Sequence, residues 1–130
     1  MDNLFDRWNE VKKQVDAFTP GEPFPMTREV WIGVLGKNIG VEQNGGVDNF
    51  LRPVLIVKKF NNTMFLVVPL STKQKPYDFC YNFIDLNGVK ASAILAQIRL
   101  VSIKRLKRKL YDFPIKDFRQ IKFRLRSFFV

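Results

Sequence analysis

The sequence predicts a small, mostly β domain with helices at both ends, built as a barrel of about five to seven strands. Three observations predict it. Short apolar runs recur between residues 28 and 98, each closed by turn-forming residues. Asn61-Asn62 and Asn87-Gly88 fall between such runs, as hairpins require. A helical apolar period occurs only near the two ends of the chain.

Leu4, Trp8, Val11, Val15 and Phe18 recur at spacings of four and three, which predicts a helix over residues 3–18 with Asp2 as its cap. Pro20, Gly21, Pro23 and Pro25 stop it, so residues 1–19 read as an appended amphipathic helix and 20–27 as a linker. Residues 28–130 are then the main domain. Val30, Ile32 and Val34 alternate with Trp31 and Gly33, a strand packed on both faces. A Gly-rich loop spans Gly36 to Phe50, and the apolar runs Pro53–Val57 and Met64–Leu70 form a hairpin around Asn61-Asn62. Residues 79–86 and Ala91–Ile98 give a fourth and a fifth strand. Ser102 is placed to cap a short basic helical turn, Ile103–Leu110. Pro114 suits the first turn of a last helix whose Ile115, Phe118, Ile121, Leu125 and Phe128 share one stripe.

At 130 residues, 46% hydrophobic and with 13 Phe, the chain has the size and composition for one folded core. No apolar run approaches the roughly 18 residues of a membrane span, and the N-terminus does not resemble a signal, so a soluble, cytoplasmic protein with no membrane partner is expected. The single Cys80 lies between Phe79 and Tyr81 and reads as a buried thiol. There is no histidine, which excludes histidine triads, paired-histidine nuclease chemistry and Cys/His zinc sites. No metal and no cofactor are expected. The net charge of +10 calls for a polyanionic partner. That charge is local: residues 103–130 carry +8 and residues 1–102 only +2.

Three constellations bear on chemistry. Arg52-Pro53 opens a buried strand just after the Gly-rich loop with Glu42 and Gln43, where a guanidinium on a rigid element grips a phosphate or is a solvated strand-entrance arginine. Ser71-Thr72-Lys73 leaves the next strand, as rigidly held functional groups or an ordinary polar turn. Gln97 and Arg99 read as contacts for a ligand or as ties between strand edges. Lys104, Arg105, Lys107, Arg108 and Lys109 read as a solvated helix face or as a phosphate groove, and Phe128-Phe129-Val130 as core or dimer packing.

Taken together these segments resemble the MazF/PemK (Kid-like) family of bacterial toxin endoribonucleases. The matching pieces are Glu29-Val30-Trp31-Ile32-Gly33-Val34, Gly40-Val41-Glu42-Gln43-Asn44-Gly45, Arg52 to Val57, Pro69-Leu70-Ser71-Thr72, and Gln97-Ile98-Arg99 through Arg105-Leu106, in family order over residues 28–110. The resemblance implies an SH3-like barrel with appended helices, a homodimer, and metal-independent cutting of single-stranded RNA at short sequences. It also implies a cognate acidic antitoxin whose tail covers the RNA groove. In the family reaction the ribose 2'-hydroxyl attacks the adjacent phosphate, leaving a 2',3'-cyclic phosphate and a 5'-hydroxyl. Carried onto this chain, the catalytic set is Arg52 as stabiliser of the scissile phosphate and candidate proton donor, Ser71 where the family has threonine, and Glu42 as candidate base. Gln43, Thr72, Lys73, Gln97 and Arg99 are the RNA-binding candidates. One branch of the family places a catalytic Arg and Asp before the Q-x-R motif; Ile94 and Ala96 stand there in this chain and do neither job. Two alternatives from other classes are a non-catalytic module of the same barrel that holds nucleic acid or antitoxin, and a toxin acting on a protein such as a topoisomerase.

Overall fold

The computed structural model describes residues 23–35 and 51–129. The expected N-terminal helix and the Gly-rich loop, with Glu42 and Gln43, lie outside the described residues, as does Val130. Among the described residues seven strands follow in order: β1 Glu29–Val34, β2 Leu51–Lys59, β3 Met64–Ser71, β4 Cys80–Ile84, β5 Lys90–Ile94, β6 Arg99–Ser102 and β7 Leu106–Asp112, with one α-helix, α1 Ile115–Ser127. All strand pairs are antiparallel, in the order β4-β5-β3-β2-β1-β7.

The curl of the sheet comes from β3. One edge pairs with β2, while the other pairs first with β6, at Met64–Val67, and then with β5, at Leu70 and Ser71. A strand shared in this way bends the sheet into an open barrel, with β4 and β7 as its ends among the described residues. The one long strand expected at Ala91–Ile98 is therefore broken: Leu95–Gln97 form a 3-10 turn where the chain leaves β3 at one point and rejoins it as β6 at another.

Alternation along β1 and β2 fills two cores. Val30, Leu55 and Val57 enter one with Val68, Leu70, Phe83 and Phe113, while Trp31, Val54 and Ile56 enter the other with Phe65, Val67 and Val101. Burial on both faces is why these strands read as nearly continuous apolar runs. α1 closes the first core with Phe118, Ile121 and Leu125, three members of its predicted stripe. Ile115 and Phe128 lie outside it: both are exposed, as is Phe129, so the C-terminal aromatics are not core in this chain. Cys80 is buried, as expected, and burial raises its thiol pKa.

The basic segment after Ser102 departs most from expectation. Ser102 does cap a turn, its hydroxyl accepting the Lys104 N–H at 3.0 Å, but the turn is only the 3-10 segment Ile103–Arg105. Leu106–Asp112 is a strand, paired to β1 through two irregularities, between Val30 and Trp31 and between Ile32 and Gly33. Those bulges break the two-residue period, and Lys, Arg and Leu are good helix formers, so main-chain pairing overrides local preference. Lys107, Arg108 and Lys109 thus line a sheet edge, where positive charge discourages pairing with another strand.

Two corners fix the frame. Arg28 has φ of 80°, a left-handed conformation held on all sides: its N–H reaches the Ile56 carbonyl at 2.8 Å, its carbonyl accepts the Phe113 N–H at 2.9 Å, and its guanidinium donates to the Phe113 carbonyl. Tyr81 on β4 donates to Asp117 on α1 at 2.6 Å, and Arg124 lies 5.3 Å above its ring while donating to the Cys80 carbonyl at 3.0 Å. Burial, then the Asp117 hydrogen bond and charge, push the Tyr81 phenol up to about 12 against the pull of Arg124. The folded state therefore holds this proton more tightly than the unfolded chain, whose phenol ionises near 10, so the contribution is complete below about pH 10 and fades as pH climbs towards 12. Tyr81→Phe should remove a step near pH 12 from an ultraviolet phenolate titration and lower neutral-pH stability by about 1 kcal/mol.

Candidate functional site

The register of the sheet assembles the site. Gly33 of β1 pairs with Arg52 of β2. Val54 pairs with Pro69, and continuing that antiparallel register by two residues brings Arg52 opposite Ser71 at the end of β3. Ser71 in turn pairs with Ser92 of β5, and Ser92 with Asn82 of β4. Cross-strand partners project to the same face, so one row reads Gly33, Arg52, Ser71, Ser92, Asn82. The row starts from a glycine, which puts no side chain beside the guanidinium.

Arg52 is half-buried, and burial lowers its pKa. Among the described residues no carboxylate contributes to that shift, so burial is what sets its direction. A group in that condition attracts an incoming anion, and its planar fork matches two phosphate oxygens.

Ser71 begins a pinned loop. Its hydroxyl oxygen accepts the Lys73 N–H at 3.1 Å, and the buried Ser92 hydroxyl donates to the Lys73 carbonyl at 2.8 Å. The Gln74 amide bridges the Phe83 and Ala91 carbonyls at 3.1 and 3.2 Å. Asn82 then accepts the Lys75 N–H at 3.3 Å and donates to the Lys75 carbonyl at 2.9 Å, imitating a strand pair. Thr72 and Lys73 are exposed at the head of this loop, directly after Ser71. Of the expected site residues, the register relates Arg52 to Ser71, and Thr72 and Lys73 follow Ser71 in the chain.

Gln97 and Arg99 are placed differently. Gln97 ends the 3-10 turn, half-buried. Arg99 is opposite Val67 and donates to the Leu35 carbonyl at 3.2 Å, while Arg105 donates to the Val34 carbonyl at 3.0 Å. The tying role left open for Arg99 is therefore realised: two guanidiniums clamp the end of β1. Val34 pairs with Leu51, so the residues that bracket 36–50 stand at the Arg52 end of the sheet. Ile94 is in β5 opposite Cys80, and Ala96 is exposed in the 3-10 turn.

Some surface features escaped the sequence. Tyr77 and Phe79, both exposed, stack with centroids 4.9 Å apart and planes 12° apart, close in sequence to Lys73 and Lys75. Basic residues interleaved with aromatics over 73–79 were the available signal. A pocket of about 170 Å³ opens next to Ser71, with Pro53, Leu70, Phe83 and Tyr111 among its walls and Asp85 and Asn87 at its edge. Among the described residues, no three acidic or thiol side chains gather as a metal site. No helix among them is long and apolar enough to cross a membrane.

The family model described as "PemK-like, MazF-like toxin of type II toxin-antitoxin system" matches residues 28–129. The chain belongs to that family. A search of curated proteins gives no match. Solved structures of MazF-like toxins share the fold. MazF (Form-I) from Deinococcus radiodurans is 19% identical, with a TM-score of 0.62 over 82% of this chain and 97% of that one. A MazE-MazF structure (Form-II) from the same organism is 16% identical, with a TM-score of 0.59 over 82% and 96%. An endoribonuclease from Mycobacterial species is 15% identical, with a TM-score of 0.60 over 82% and 92%. The MazF-like fold is thus seven antiparallel strands and a C-terminal helix, here carrying Arg52 in mid-sheet beside Ser71.

Proposed function

We propose that this MazF-like toxin is a metal-independent, sequence-selective endoribonuclease that cuts single-stranded RNA, acts in the cytoplasm as a homodimer, and is neutralised by an acidic antitoxin. The observation that carries the reading is Arg52: a half-buried cation with no carboxylate partner among the described residues, beside a glycine on one strand and, where the register of Val54 with Pro69 is continued, opposite Ser71 on the other. The solved MazE-MazF pair supports the antitoxin.

Arg52 binds two nonbridging oxygens of the scissile phosphate and stabilises the extra charge that builds as the 2'-oxygen approaches phosphorus. Ser71 donates its hydroxyl proton to the same phosphate while its oxygen stays fixed by the Lys73 N–H. The 2'-O–P bond forms and the P–O5' bond breaks; the 2'-hydroxyl proton goes to a base, for which Glu42 is the candidate, and O5' gains a proton from Arg52 or water. Burial lowers the Arg52 pKa, the direction a proton donor requires. Thr72, Lys73, Gln43, Gln97 and Arg99 hold the strand, and their cationic members make binding fall steeply with salt.

The test is to incubate the protein with a long single-stranded RNA in EDTA and map the ends. Cuts at a recurring short sequence with 5'-hydroxyl ends are expected. Loss of cutting in EDTA would overturn the metal-free reading. A second reading, a non-catalytic binding module, is favoured by Ile94 and Ala96 at the positions of the missing catalytic pair; it predicts salt-sensitive RNA binding without cuts.

A further inference from the structure

A groove of about 450 Å³ lies where the C-terminal end of α1 meets the end of β2 and the start of β3. Val57, Leu66, Ile98 and Leu125 supply its apolar floor, and Phe129, 75% exposed, stands at its side. The apolar surface continues past the groove, because Leu66 pairs with Leu100 of β6, cross-strand partners share a face, and Leu100 is 49% exposed. Lys58, Lys59, Lys122 and Arg126 also line it, and among the described residues no carboxylate does. An open apolar floor edged by cations fits an amphipathic segment that carries acids.

This chain holds such a segment. The sequence predicts a helix over residues 3–18, about 24 Å long, with Leu4, Trp8, Val11, Val15 and Phe18 on one stripe. Residues 1–22 carry five acidic and three basic side chains, a net of −2, against +12 for residues 23–130. They precede the stretch shared with the family, which begins at residue 28, so the segment is an addition to the common barrel.

The point at which the chain enters the described residues selects this occupant. Thr27 lines the groove. Just before it Pro25 is buried, the Met26 N–H donates to the Glu29 Oε1 at 2.9 Å, and Lys59, one of the groove cations, lies 5.9 Å over the Phe24 ring with its ammonium 3.3 Å from the Met26 sulfur. Residues 24–27 are thus fixed along the rim, and the chain from Phe18 to Phe24 spans at most about 20 Å. A tether that short holds the stripe at a millimolar effective concentration, so a weak apolar contact is enough to seat it. We propose that residues 3–18 dock as a helix in this groove of their own chain, with the stripe from Leu4 to Phe18 on the apolar floor. The seat uses neither Arg52 nor Ser71, so it stands apart from the nuclease reading.

The test is amine cross-linking of the full chain with a short reagent, in an equal mixture of isotope-labelled and unlabelled protein, with the products mapped by mass spectrometry. Lys12 and Lys13 should join Lys58, Lys59 and Lys122 several-fold more often than Lys75 and Lys90, which are exposed near the opposite end of β3, and both ends of each product should come from one chain. Trp8→Ser keeps the tether and removes the central anchor, so the groove products should fall about tenfold. Leu100→Asp, which puts a carboxylate on the exposed end of the floor, should lower them several-fold with the circular dichroism unchanged. Groove products undiminished in Trp8→Ser would reflect the tether alone and overturn the seat. Products that favour Lys75 and Lys90, or that join labelled to unlabelled chains, overturn it as well.

Discussion

Arg52→Ala is expected to lower single-turnover RNA cleavage by about two to three orders of magnitude, the usual cost of removing a preorganised charge-stabilising donor, and to leave the melting temperature nearly unchanged. The two effects separate because burial lowers the pKa of this guanidinium with no carboxylate of the described residues among the causes, so truncation strands none of those carboxylates. Arg52→Lys restores the charge but not the planar fork, and should recover only a small part of the rate. Cleavage at the wild-type rate by a folded Arg52→Ala protein would remove the assignment.

The largest expected loss of stability is elsewhere. Phe113 is fully buried between β7 and α1, meets the Phe83 ring edge-on at 4.9 Å, and carries the main-chain groups that Arg28 grips from both sides. Phe113→Ala empties the point where helix and barrel join, and should cost about 3–5 kcal/mol in urea unfolding. Phe123→Ala on the solvent side of α1, where the ring is 70% exposed, is the control and should stay within about 0.5 kcal/mol. A Phe113→Ala protein as stable as the control would mean that α1 does not depend on this core.

Much of this architecture is legible in the residues because its periods are clean. Phe118, Ile121 and Leu125 mark the buried face of α1, and Val30 to Val34 and Pro53 to Val57 mark strands packed on two sides. The β7 strand is not legible, because two bulges disrupt its alternation and its Lys, Arg and Leu favour helix when read locally. The site divides in the same way. Arg52 and Ser71 are readable from short motifs, yet what makes them partners is a register between strands. Arg99 shows the converse: one cationic side chain in a motif suits a phosphate or a carbonyl, and only the position of Leu35 shows that one of its N–H groups reaches a carbonyl.

The central claim is that a phosphate held by Arg52 is attacked by its own neighbouring 2'-hydroxyl. It is tested most directly by two oligonucleotides spanning the mapped cut, identical except that one has hydrogen for that single 2'-hydroxyl. In EDTA, the all-ribose substrate should be cut by the wild type and scarcely by Arg52→Ala, leaving a 2',3'-cyclic phosphate and a 5'-hydroxyl, while the deoxy-substituted substrate stays whole. Cutting of the deoxy-substituted strand at the same bond would contradict the account.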